Sequence, residues 1–401
     1  MSINANRKRI LLASDSGQYG GMEMRMIAEA KQLADQGHDV SVAAPPFPGH
    51  DSFARELAGI DVAFTPFVPQ PIFTNWRKRH VAWLLAELFQ RRRFGRFGAE
   101  LAHVFFSWTD QGLDSLWLAA RCGIPTVLSI HNTFPQADFS PWHRRQLRRA
   151  FATVRGLYGV SAGAVDAFLG IFGDFVPRGA HSATLYNFVD TDRFISSESR
   201  RRATRETLGI GSDVPLIGSV GRLDDQKKPL DLIEVFARVR EQLPNARLLL
   251  VGEGPLERQV RERIGALDCG DAVTLLKFQE KIEEIYPALD VHLLLSRNEG
   301  FGIVTAEALA CGVLTVATRV PGTEEVVTGC PAGRLVPLGD REQAAAALVD
   351  FLSLAPDERR RLGDLGREHV EARFSKEVWR RDVSRFYDIV LGESETSCAS
   401  A

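Results

Sequence analysis

The sequence predicts an α/β protein built from two doubly wound parallel-sheet domains that share a cleft. Short β-rich runs alternate with longer segments of helical period, the pattern of parallel strands joined by crossover helices. The alternation occurs twice, on either side of the polar stretch "VDTDRFISSESRRRATRETLG". At 401 residues the chain also exceeds the size at which one hydrophobic core stops growing.

In the first half the expected strands are "RILLAS" (9–14), "VSVAAP" (40–45), "AHVFF" (102–106), "TVLSIH" (126–131), "GLYGVS" (156–161) and "ATLYNF" (183–188). Each is a short apolar run bounded by turn residues, as strands covered on both faces read. The polar stretch that follows is read as the linker into the second domain. There the strands are "PLIGSVG" (215–221), "ARLLLVG" (246–252), "AVTLLKF" (272–278), "VHLLLS" (291–296), "LTVAT" (314–318) and "GRLVP" (333–337). "RRDVSRFYDIVLG" is expected to form a last helix, and the small polar tail "GESETSCASA" to be disordered.

Composition narrows the function. With 45% hydrophobic and 25% charged residues and a formal net charge of -2, nothing points to nucleic acid as a partner. The longest apolar runs fall far short of the roughly 20 residues that span a bilayer. The N-terminus lacks the long apolar core of a secretory signal. Cysteines at 122, 269, 311, 330 and 398 are odd in number and lack metal-ligand spacing. Reduced thiols and a cytoplasmic location are therefore expected.

In open parallel sheets ligands sit beyond the carboxyl ends of the strands, so the residues after each run are where chemistry belongs. After the first run, "SDSGQYGGMEMRMIAEA" carries Gly20 and Gly21 into a helix, where backbone N–H groups could approach an anion. A glycine turn there also serves structure alone. After "PLIGSVG", the loop "GRLDDQKKP" sets Arg222 and Lys227 ahead of a helix whose dipole adds positive potential, an arrangement suited to phosphate. The plain alternative is a solvated loop.

"SRNEGFGIVTAEALACG" (296–312) is more specific. Gly300 and Gly302 place Glu299 ahead of a helix and Glu307 within it, so the two carboxylates have separate roles. Glu299 projects from the strand end. The N–H groups of Gly302, Ile303 and Val304 open the helix toward an anion. Glu307 can accept two hydrogen bonds from a vicinal diol such as a ribose. Acidic decoration of a helix start would explain Glu299 alone, and paired acid–base catalysis is a further reading of two carboxylates.

"EGFGIVTAEALACG" resembles the Glu-x7-Glu signature of retaining glycosyltransferase family 4, enzymes with the GT-B fold of two Rossmann-like domains. "GRLDDQKKP" is similar to that family's phosphate loop, "LLLVGEGP" to its Val-Gly-x-Gly-Pro turn, and "YNFVDTDRF" to its interdomain crossover. The resemblance implies an N-terminal acceptor-binding domain over 1–190, completed by a C-terminal helix over 376–392, and a nucleotide-sugar-binding domain over 191–375. It implies transfer of a sugar from a nucleoside-diphosphate sugar, with retention and no essential metal or other cofactor. Arg222 and Lys227 would hold the donor diphosphate, and Glu307 the ribose. Glu299 and the backbone of Gly300, Phe301, Gly302, Ile303 and Val304 would bind donor sugar and phosphate. Gly20 and Gly21 match the family's glycine loop, and His131, ending "TVLSIH", matches a histidine that faces the reacting sugar.

The chain departs from the family pattern at Leu314 for a proline, Pro321 for the first glycine of a pair, and Lys277 for a glycine near the base. Pro321 needs φ near -65° and no N–H.

The acceptor is expected to be a saccharide or a lipid-linked saccharide. In "NWRKRHVAWLLAELFQRRRFGRFG" an apolar stripe of Val81, Leu84, Leu85 and Leu88 lies between basic clusters, and "HRRQLRRAF" adds arginines. Such an element can lie on an anionic membrane surface, which would make the protein peripheral there. A core helix with solvated ends has the same pattern. Two other functional classes share these features: a sugar-nucleotide epimerase, and a non-catalytic protein that binds a nucleotide sugar or a partner.

Overall fold

The computed structural model describes residues 7–17, 20–48, 50–69, 81–109, 111–132 and 138–392, with only the backbone for 81–84. The tail beyond Gly392, the basic residues ahead of Val81, and two residues of the first glycine loop lie outside the described residues. The chain divides into two compact units, one comprising residues up to Leu185 and from Arg380 onward, the other Tyr186–Trp379.

The first unit alternates β1 (Arg9–Ser14), α1 (Gly21–Asp35), β2 (Asp39–Ala44), α2 (His50–Ala58), β3 (Ala63–Pro66), α3 (Val81–Gly95), β4 (Leu101–Phe106), α4 (Leu113–Arg121), β5 (Thr126–Ile130), α5 (Pro141–Ala150), β6 (Val154–Gly159), α6 (Ala162–Phe172) and β7 (His181–Thr184). Its seven-stranded sheet has the order β3-β2-β1-β4-β5-β6-β7, with every adjacent pair parallel. The sequence dictates this locally. "LAHVFF" in β4 is buried at every position, as a central strand covered by helices must be. Ser140 and Ser161 cap α5 and α6 by accepting from the amides of His143 and Ala164. The core packs Val104, Phe106, Trp117, Leu128, Phe151, Phe168 and Phe172.

Two expectations are corrected here. β3 was not anticipated: it is four residues long, lies on the sheet edge, is mostly exposed and ends in Pro66, so it lacks a core-facing alternation. The strand expected over 183–188 lies instead at His181–Thr184. In α3, where surface and core readings were both open, the described members of the apolar stripe, Leu85 and Leu88, are turned outward. Leu85, Leu88 and Phe89 are 61%, 43% and 60% exposed, whereas Glu87 and Gln90 are buried. Glu87 is held there by Arg121, whose Nε lies 2.7 Å from Oε1.

The second unit holds α7 (Glu198–Thr207), β8 (Leu216–Val220), α8 (Pro229–Gln242), β9 (Arg247–Val251), α9 (Glu257–Ala266), β10 (Val273–Leu276), β11 (Val291–Leu294), α10 (Ile303–Ala310), β12 (Leu314–Thr318), α11 (Thr323–Val327), β13 (Gly333–Val336), α12 (Arg341–Leu352) and α13 (Pro356–Phe374). Its six-stranded sheet has the order β10-β9-β8-β11-β12-β13, again parallel. The last helix, α14 (Lys376–Leu391), crosses the division of the chain, and its Tyr387 hydroxyl lies 2.7 Å from Nδ1 of His103 in β4.

The stretch read as a linker is instead part of this unit. Ser197 caps α7, and Arg201 and Arg205 on its inner face converge on Asp290 at 2.7 and 2.8 Å. Their positions one turn apart put both guanidiniums on one side of the helix. The charge that suggested a solvated linker is what docks the helix.

Candidate active site

The second unit's strand order reverses direction between β8 and β11, the switch point where a doubly wound sheet opens a crevice at its carboxyl edge. The loops after β8, β9 and β11 are locked together by main-chain bonds. The amide of Gly221 donates to Val251 O at 3.0 Å, that of Leu223 to Glu253 O at 3.0 Å, and that of Arg297 to Gln226 O at 2.8 Å. Gly252, at φ 144, is required: a Cβ there would lie 2.0 Å from Gly221 O. The "VGEGP" turn is thus a backbone clamp on the Arg222 loop.

Within this frame Lys227 and Glu299 meet directly, Nζ to Oε1 at 2.5 Å, with both side chains largely buried. The sequence proposed both residues but not their contact. Arg222 lies on the same loop, 59% exposed and 2.9 Å from Asp224. Lys228 starts α8 in the left-handed conformation at φ 52, a strained position for a side-chain-bearing residue in a loop held from several sides.

Gly302 precedes α10 at φ 83, and Glu299 lies ahead of it. The first-turn amides of a helix have no intrahelical acceptor, so those of Ile303 and Val304 are positioned for an anion. The Phe301 side chain turns into the core. It is buried, with ring centroids 5.2 Å from Phe374 and 6.0 Å from Tyr186. The following turn supports the Gly300–Gly302 backbone, since a Cβ at Gly322 would meet Gly300 and the Phe301 amide at 2.8 Å. Pro321 is exposed, and its carbonyl accepts from Thr323. Proline there costs no donor. Leu314 is fully buried at the start of β12, opposite Val291.

Glu307, on α10, accepts the Tyr286 hydroxyl at 3.0 Å. Burial pushes its carboxyl up to about 7, against the opposing effects of the Tyr286 hydroxyl and the Arg193 charge. Arg193 itself is fixed by Glu283 at 2.8 Å. Tyr286 and Arg193 were not among the sequence candidates. The motif fixes Glu307, but its partners come from distant segments without a local signature. Lys277 lies exposed, 3.6 Å from Glu253.

In the first unit the switch point falls between β1 and β4. Asp15, just past β1, accepts from the Gly112 amide at 2.9 Å and the Ser115 hydroxyl at 2.5 Å, which ties this loop to the start of α4. Burial raises its carboxyl above the usual range. The Gly20 amide, expected to meet an anion, already donates to Glu23 at 2.8 Å. At Gly21 a Cβ would meet nothing within 4 Å, which leaves space at the helix start.

His131 follows β5. Its amide bonds Phe106 O at 2.9 Å, its Nε2 lies 3.1 Å from Ser129 Oγ, and its ring stacks on Phe105. Burial first, then the charge of Arg25, hold it well below the ordinary histidine range, so the ring is neutral.

Comparison with known proteins identifies the family and the fold. The family described as "Glycosyltransferase Family 4" matches residues 19–193, and "Glycosyl transferases group 1" matches 200–369. The chain is 35% identical over 394 residues to a D-inositol 3-phosphate glycosyltransferase from Saccharomonospora viridis, covering 92% of this chain and 88% of that protein. It is 33% identical over 294 residues to a GDP-mannose-dependent monoacylated alpha-(1-6)-phosphatidylinositol monomannoside mannosyltransferase from Corynebacterium glutamicum, covering 67% and 74%. Anabaena HepE in complex with UDP has the same fold, with a TM-score of 0.77 at 21% identity over 95% of this chain and 100% of that one. Two parallel-sheet units, the family matches to each and the full-length relative together place this chain among the family 4 glycosyltransferases of GT-B fold.

Proposed function

We propose that the chain transfers a glycosyl group from a nucleoside-diphosphate sugar to an acceptor hydroxyl with retention of anomeric configuration and without an essential metal. The observation that carries this is the Lys227–Glu299 pair at the switch point of the second unit, beside the start of α10. A diphosphate leaving group needs positive charge fixed in advance. Lys227, Arg222 and the α10 amides supply it. Glu299, bonded to Lys227, aligns the ammonium and leaves its second oxygen for a sugar hydroxyl. In the step itself the bond from the anomeric carbon to the diphosphate oxygen breaks, and its electron pair stays on that oxygen. The acceptor oxygen then bonds to the carbon on the same face, and its proton passes to the departing phosphate. His131, which matches the family histidine that meets the reacting sugar, would do so as a neutral group. Transfer is expected to continue in EDTA, measured as release of nucleoside diphosphate. Activity abolished by EDTA and restored by manganese would refute the metal-free reading.

Glu307 is the proposed ribose ligand, and its position near pH 7 gives a signature. Between its ordinary value near 4.5 and about 7 the free protein keeps this carboxyl protonated. Two ribose hydroxyls donating to it favour the ionised form, so binding should expel a proton. Affinity for the nucleoside diphosphate is expected to fall as pH drops below about 7, more in the parent than in Glu307→Gln. Calorimetry in buffers of different ionisation heat counts that proton. Equal proton release in parent and variant would remove Glu307 from the ribose.

We further propose a cytoplasmic protein that rests on an anionic membrane surface through α3, toward a lipid-linked acceptor. Leu85, Leu88 and Phe89 are exposed beside the exposed Arg91 and Arg92, whereas Arg93 is held over the Phe67 ring at 5.4 Å. No helix among the described residues is long and apolar enough to cross a membrane. Sedimentation with anionic vesicles should be strong at low salt and weaken as the screening length shrinks from about 10 Å at 0.1 M to about 3 Å at 1 M. Binding unchanged by replacing Leu85, Phe89, Arg91 and Arg92 would show that α3 is not the contact.

A further inference from the structure

Strands β5 and β6 place Ser129 directly opposite Tyr158, and β4 places Phe105 opposite Ser129 on the other side. This row connects the His131 ring to a charge pair buried on α1. Arg25 Nε lies 2.7 Å from Glu29 Oε1, with both side chains out of contact with water. An ion pair so buried is costly to assemble, and removing one member leaves an uncompensated charge.

We infer that a buried hydrogen-bond relay, Arg25 to Glu29 to Tyr158 to Ser129, fixes the His131 proton on Nε2 and so presents Nδ1 as a lone-pair acceptor for a hydroxyl of the transferred sugar. The relay follows from counting protons. A guanidinium only donates, so the Glu29 carboxylate accepts from Arg25. Tyr158 gives its single proton to the same Oε1. The phenol oxygen can then only accept, and Ser129, the register partner of Tyr158 on the neighbouring strand, is placed to donate to it. With the serine proton committed, Ser129 Oγ must accept from His131, whose Nε2 lies at 3.1 Å. The ring is neutral, so Nδ1 is bare. It makes no hydrogen bond among the described residues, and the ring is only partly buried, stacked 5.4 Å from Phe105. His103 lies on the far side of Glu29, 3.3 Å from Oε2, so it does not compete for Oε1. Ser129 and Tyr158 are positioning residues under this scheme.

What Nδ1 meets rests on the proposed function, whereas the tautomer does not, so the two can be tested apart. Long-range proton–nitrogen correlation spectra of the full chain with labelled histidine, recorded without ligand, separate protonated from bare ring nitrogens. His131 is assigned by the signal lost in His131→Ala. The parent is expected to show Nε2–H. In Tyr158→Phe the serine loses its acceptor, its proton turns toward His131, and the signal moves to Nδ1–H. An Nδ1–H parent overturns the relay, as does a Tyr158→Phe protein that keeps Nε2–H. Should Tyr158→Phe not fold, the parent spectrum and Ser129→Ala decide. With donor present, Ser129→Ala should lower kcat about tenfold, the loss of one hydrogen bond's alignment, with donor KM little changed and Ser129→Thr restoring the rate. The inferred tautomer together with an unaltered kcat would refute the sugar contact and leave the relay standing.

Discussion

Lys227→Ala is expected to lower kcat/KM for glycosyl transfer by about 10²–10³-fold, the loss typical of deleting one preorganised donor to developing negative charge. Lys227 and Glu299 are held on loops that are themselves bolted together by the Gly221, Leu223 and Arg297 amides, so neither can relax when its partner is lost. Removing the lysine strips charge from the leaving group and leaves Glu299 buried and unpaired, which lowers stability as well. The double variant Lys227→Ala, Glu299→Gln separates the two effects. It should regain stability without regaining rate. Glu299→Gln alone acts in the opposite sense on binding: it frees the ammonium for the diphosphate, so nucleotide affinity should hold or rise while turnover falls. Arg222→Ala should cost less, since its guanidinium is largely solvated and shared with Asp224. Single-turnover rates set beside nucleoside diphosphate titration read both quantities. Parental turnover in Lys227→Ala would show that the site lies elsewhere.

What could be read from the chain divides along physical lines. Strands covered on both faces of a parallel sheet are continuous apolar runs, so β1, β4, β5, β8, β9, β11 and β12 were legible to within a residue or two. β3 was not, because an exposed edge strand of four residues carries no burial signal. The loop motifs located Lys227, Glu299 and Glu307, since a backbone clamp needs glycine at Gly252 and Gly322 wherever it occurs. Their partners stayed hidden. Tyr286 meets Glu307 from a segment 21 residues away, and Lys227 meets Glu299 across 72. The pair Arg25–Glu29 had a local signal, opposite charges one turn apart among buried Met22, Met26 and Leu33. Such spacing usually marks a solvated helix face, and only the contacts show that it faces inward.

The same ambiguity concealed α7, and it sets the second large effect. Asp290→Ala is expected to destabilise the second unit by about 3–5 kcal/mol, the cost of breaking a buried ion pair by removing one partner. Asp290, at the entry to β11, receives Arg201 and Arg205 from α7 and Arg359 from α13 at 2.7, 2.8 and 3.1 Å, and the Leu216 amide of β8 at 2.8 Å. One carboxylate therefore binds three guanidiniums, offsetting one of their three charges, and pins two helices to the sheet. Arg205 is the most exposed to its loss, because it is buried, and burial already holds its guanidinium below the ordinary range. Its remaining bonds run to the carbonyls of Gly211, Ser212, Val214 and Ala288, which satisfy its donors but carry no net charge. Asp290→Asn keeps the volume and one acceptor, so it should fall between the parent and Asp290→Ala. Arg360→Ala is the control: its partner Asp357 is fully solvated and 3.6 Å away, and exposed pairs contribute little. Urea unfolding followed by circular dichroism reads these differences as shifts in midpoint at constant slope. A midpoint for Asp290→Ala equal to that of Arg360→Ala would mean that the charged stretch after Asp190 is held by its apolar contacts alone, and that the convergence on Asp290 contributes nothing to folding.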